Sequence, residues 1–161
     1  MNFKIELVGL VFRLIDQKLC VLLAQSEGER SPTWSLPSSP LERSKAPEDG
    51  LTECIQSLGF TTTYIEQLYS FADERSGIIR MAYIVLAESL EVNSNTSNGA
   101  TLWAKVNRIP KLHEAHMPIK ELGIQRLRNK VSYSRIATRL LPDDWRHYGE
   151  SYGTYSHDLD R

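Results

Sequence analysis

The order of segments along the chain predicts an α/β domain of the α+β kind, in which a mixed β-sheet packs against helices. Three observations carry this expectation. Two apolar runs separated by a short polar turn open the chain, an apolar stripe at helical spacing follows, and further strand-like runs precede a second, longer helical pattern.

In the first run Phe3, Ile5, Leu7, Val8, Leu10, Val11, Phe12, Leu14 and Ile15 alternate and then saturate with apolar character. Asp16-Gln17-Lys18 makes a turn, and residues 19–24 form the second run, so the pair reads as a hairpin whose second strand is buried on both faces. Residues 26–32 are polar and read as a loop. Thr33 to Pro37 is a short extended element, because Pro37 pushes the residue before it out of the helical region. Ser38 to Ala46 is expected to be a loop. A helix then starts at Pro47, which suits the first helical position, with Glu48 and Asp49 at the positive end of its dipole. Leu51, Cys54, Ile55 and Leu58 form one apolar stripe along it, and Gly59 is its C-terminal cap. Residues 61–72, 77–87 and 102–106 read as strands, with an Asn-, Ser- and Gly-rich loop over 91–100. A helix runs from Pro118 to about Lys130, and a second helical stretch covers Ser134 to Leu141, stopped by Pro142.

The chain has 161 residues, a one-domain length, with a formal charge of −1 and 41% hydrophobic residues. We expect the domain to occupy residues 1–145 and the tail, 146–161, to be poorly ordered. Cys20 and Cys54 form neither a CxxC pair nor a disulfide framework, so both are expected as reduced thiols in a cytoplasmic protein. Glu6 interrupts what a signal peptide would keep apolar, and no apolar run approaches the ~20 residues of a membrane span. Charge is unevenly partitioned: residues 108–146 carry nine basic and four acidic side chains. Lys120, Arg126, Arg128, Lys130, Arg135 and Arg139 lie there on helical segments, either as a solvated or docking face or as a footprint for nucleic acid. His113 and His116 are expected at the surface.

The segment WSLPSSPLERSKAPEDGLTECIQSLGF, residues 34–60, resembles a Nudix box of the form GX5EX7REUXEEXGU preceded by W-x-L-P-G. With Gly59-Phe60 as the closing G-U, Ser38 takes the first glycine position, Ser44 the first Glu and Thr52 the Arg. Glu53 keeps its Glu, Cys54 takes the aliphatic position, and Gln56 and Ser57 replace the last two acids. Further pieces resemble one subfamily, the Nudix-related transcriptional regulators of NAD metabolism. These are YIEQLYSFAD (64–73), AYIVL (82–86), Trp103 with Ile109-Pro110-Lys111-Leu112, His116, and LRNKVSYS (127–134) through Leu140-Leu141-Pro142.

The resemblance implies a Nudix fold, a curved mixed sheet sandwiched between helices. It also implies the chemistry of metal-assisted hydrolysis of a nucleoside diphosphate linked to another moiety. That chemistry needs several carboxylates on one helix face for a hard cation such as Mg²⁺. Only Glu53 remains, as a vestigial ligand or a solvated carboxylate, so no catalytic or metal residues are expected. The expectation is an eroded site that senses a nucleotide such as ADP-ribose, with Trp34, Glu53, Arg75 and Arg80 as nucleotide-binding candidates and no cofactor. An active pyrophosphatase, requiring Mg²⁺ or Mn²⁺, and a protein-interaction module without ligand are the alternatives. A protein partner or a second copy of the chain fits the basic helical region. DNA is the less favoured partner, since the residues after Pro142 are too few for the winged helix that those regulators carry.

Overall fold

The structure, a computed structural model, describes residues 2–25, 33–89 and 101–133. The expected loops at 26–32 and 91–100, the helical stretch Ser134–Leu141 and the tail lie outside the described residues. The opening hairpin forms as the sequence predicts. Strands β1 (Lys4–Ile15) and β2 (Lys18–Gln25) pair antiparallel, closing at Ile15↔Lys18 around Asp16 and Gln17, whose φ angles are 49° and 61°. Two positive φ values in a two-residue loop give the turn whose twist matches that of the strands.

Short strands β3 (Trp34–Ser35) and β4 (Ser38–Pro40) follow. The second corrects the expectation of a loop across 38–46: Leu7↔Ser39 and Val8↔Ser38 pair it antiparallel to β1. Along the other side of β1, β6 (Ile78–Ser89) runs parallel from Lys4↔Ile78 to Phe12↔Leu86. Thus β1 forks, with β2 on its C-terminal half and β4 on its N-terminal half. Between the two branches the Gly9 N–H donates to Pro37 O at 2.9 Å. Strand β5 (Phe60–Asp73) pairs antiparallel with β6 at the far edge, and β7 (Thr101–Lys105) pairs with β2. Among the described residues the result is a seven-stranded mixed sheet of order β3-β2-β1-β6-β5, with β4 and β7 off that path.

Both sheet faces are covered, which explains why β1 saturates with apolar residues. One face carries Leu7, Val11, Leu22, Tyr83 and Val85 beneath helix α1 (Pro47–Ser57), which contributes Leu51 and Ile55. The other carries Val8, Leu10, Phe12, Val21 and Ile84 beneath Leu36, Leu112 and helix α2 (Met117–Tyr133), which contributes Ile119 and Leu127. Two 3₁₀ turns, Val106–Arg108 and Glu114–His116, connect β7 to α2. Helix α1 ends on Gly59 at φ 95°, and the Gly59 N–H donates to Gln56 O.

Gly123 of α2 lies against β1: a Cβ there would overlap Leu10 Cδ2 and come within 3.3 Å of Leu68 Cδ2. Leu10 is fully buried and cannot swing away freely. Gly123→Ala is therefore expected to destabilise the fold by about 1–3 kcal/mol through overpacking, despite a helix-propensity gain of about 1 kcal/mol. Urea denaturation reads the difference.

Candidate functional site

Helix α1 presents Glu53, Gln56 and Ser57 to solvent on the side away from Leu51 and Ile55. This is the face on which the box would place its carboxylates, and of the positions Glu53, Gln56 and Ser57 only Glu53 is acidic. A cleft of ≈ 230 Å³ runs between this face and the β4 segment, lined by Ser39, Pro40, Glu42, Lys45, Gly50, Glu53 and Cys54. Its lining includes one cation, Lys45. Lys45 Nζ lies 2.6 Å from Glu53 Oε2 and 3.2 Å from Glu42 Oε2. The Glu53 carboxylate first, and Glu42 after it, hold the Lys45 pKa above the ordinary lysine range. On the same helix the neutral Ser57 hydroxyl donates to the Cys54 carbonyl at 2.6 Å.

The donor set does not fit a divalent ion. Mg²⁺ demands near-ideal octahedral oxygen coordination, normally with carboxylates facing it. The two carboxylates of the cleft converge on an ammonium instead. Among the described residues, no group of three or more His, Cys, Asp or Glu side chains is placed to hold a metal. Sequence reasoning missed Lys45, because it sits at a position the box leaves open and its pairing depends on the turn between Glu42 and the helix.

The remaining candidates are elsewhere. Arg80 faces the α2 side of the sheet beside its ladder partner Glu6, with Nε 2.8 Å from Glu6 Oε2 and its side chain 11% exposed. The approach is off the N–H axis, so charge rather than a straight hydrogen bond holds the pair. Arg80 Nη1 is 3.9 Å from Asp73 Oδ2. Arg75 is exposed in the β5–β6 turn, where its backbone N–H donates to Asp73 Oδ1 at 3.1 Å. Trp34 is half-buried on the α2 side, bridged to Leu112 and packed against that core. The structure thus places Arg80 and Trp34 on one side of the sheet and Glu53 on the other.

His116 corrects the expectation of a surface histidine. It is 5% exposed, and its Nδ1 accepts from the Leu36 N–H at 3.0 Å. Burial lowers its pKa from 6.5 to about 4; the Glu6 carboxylate opposes this, while His113 and Arg80 add to it. His113 is exposed as expected, and its Nδ1 accepts from the Ala115 N–H at 3.3 Å. In the basic region, Lys130 Nζ lies 2.5 Å from Glu66 Oε2 on β5, so this lysine is tied to the sheet. Arg135 and Arg139 lie outside the described residues. Cys20 and Cys54 are both free thiols.

A forked mixed sheet, with the box helix on one face and a second helix on the other, is the Nudix fold. Solved structures agree. Shewanella oneidensis NrtR matches at 21% identity and a TM-score of 0.72, over 91% of this chain and 75% of that one. The NUDIX domain of the same NrtR, solved complexed with ADP ribose, matches at 21% identity and a TM-score of 0.62, over 79% and 90%. A MutT/nudix family protein from Enterococcus faecalis matches at 16% identity and a TM-score of 0.69, over 88% and 69%. No family model and no curated protein sequence matches the chain. Among the described residues, no helix is long and apolar enough to cross a membrane.

Proposed function

We propose that this chain is a Nudix-fold module that binds a nucleoside-diphosphate derivative such as ADP-ribose, in a sensing or regulatory role, without hydrolysing it. The observation that carries the loss of hydrolysis is the Lys45 ammonium paired with Glu53, the one acid retained in the REUXEE part of the box. The fold shared with the ADP-ribose-bound NUDIX domain of NrtR supports the ligand class. In this reading the Arg75 and Arg80 guanidiniums take phosphate oxygens, Arg80 exchanging its contact with Glu6, and Trp34 forms a wall for the base. Glu53, on the other side of the sheet, stays with Lys45.

The test is a thermal-shift series with ADP-ribose, run in EDTA and in Mg²⁺ or Mn²⁺, with AMP release followed in parallel. At 100 times its dissociation constant the ligand should stabilise the fold by about 2.7 kcal/mol in either buffer, with no AMP formed. Arg80→Ala should lose most of the shift. Metal-dependent AMP release that disappears in Glu53→Gln would establish an active pyrophosphatase instead.

A further inference from the structure

We propose that the Lys45 ammonium is the built-in cation of the α1 cleft, occupying the space between Glu53 and Glu42 and excluding a divalent metal ion from it. Lys45 is preset for this position. Its backbone N–H donates to Glu42 O at 3.2 Å, closing the turn that brings the two side chains together. Its aliphatic stem lies over Gly50, on the turn of α1 that precedes Glu53. The ammonium then reaches Glu53 Oε2 at 2.6 Å and Glu42 Oε2 at 3.2 Å, with 27% of the side chain exposed. An entering divalent ion would have to break both contacts and stand beside a positive charge, and two carboxylates cannot balance a dication and an ammonium together. With the ammonium in place, the cleft carries one net negative charge without any metal. The neutral Gln56 and Ser57 and the cationic Lys45 act in the same direction, against a bound divalent ion.

This inference rests on the reading of the cleft as non-catalytic, but its test contains no nucleotide, so either can fail alone. Mn²⁺ is titrated into the protein and the free ion is followed by its EPR signal. Lys45→Met, which keeps the stem and removes the charge, should bind Mn²⁺ about tenfold more tightly than the wild type. Lys45→Gln, a second neutral variant, should do the same, and Lys45→Arg should show no gain. The gain should vanish when Glu53→Gln is added to Lys45→Met. Equal Mn²⁺ affinity in the wild type and both neutral variants, or a gain that survives Glu53→Gln, would overturn the proposal.

Discussion

Leu51→Ala is expected to destabilise the chain by about 2–5 kcal/mol, the range for removing a fully buried leucine and leaving a cavity. Leu51 is the wholly buried anchor by which α1 sits at the fork of β1, against Leu7, Val11 and Tyr83. That fork is braced by the main chain, through Gly9 to Pro37 and through β4, so it cannot collapse onto the cavity. Little of the cost should be recovered. Denaturant unfolding measures it, and a loss below about 1 kcal/mol would mean that α1 is not seated on the fork as described.

The second large effect is a dependence of stability on pH that originates at His116. Its pKa is about 4 in the folded chain, while an unfolded histidine titrates near 6.5. The unfolded chain therefore binds the extra proton more readily. The contribution is fully present above the unfolded pKa and is lost as pH falls from about 6.5 through about 4, for a total of about 3 kcal/mol. Falling pH has to force a charge into a site 5% exposed and to break the bond that Nδ1 accepts from Leu36. His116→Asn keeps an oxygen acceptor for that N–H and removes the titration. The expected result is that the wild type loses about 3 kcal/mol more than His116→Asn between about pH 7.5 and about pH 4 in paired denaturant titrations. Carboxylates common to both proteins cancel in the difference. Parallel pH profiles would show that His116 is not buried neutral.

The elements that could be read from sequence are those with strong local chemistry. The hairpin has two saturated runs around a polar turn, and α1 has its proline start, apolar stripe and glycine end within one short segment. The box helix could be placed because its spacing is kept although Glu53 is the one acid of its REUXEE part that is present. What stayed hidden depends on tertiary neighbours. Strand β4 is Ser38-Ser39-Pro40, with no β-forming pattern, and it exists because β1 leaves half of one side unpaired. Glu6 and Arg80 look like two solvated charges until the parallel register sets them side by side. His116 has a polar sequence context, and its burial is decided by how residues 109–116 pass beneath Trp34 and Leu36. Lys45 belongs to the same class, as an ordinary lysine in a polar loop whose role comes from the turn that aims it at Glu53.

The proposed function combines a nucleotide site with an α1 cleft that supports no metal-dependent chemistry. Calorimetric titration of the wild-type chain with ADP-ribose, once in Mg²⁺ and once in EDTA, tests it most directly. Saturable binding of the same affinity in both buffers is expected, with the nucleotide recovered intact. Binding that requires Mg²⁺ and is accompanied by AMP release, or no binding in either buffer, would contradict it.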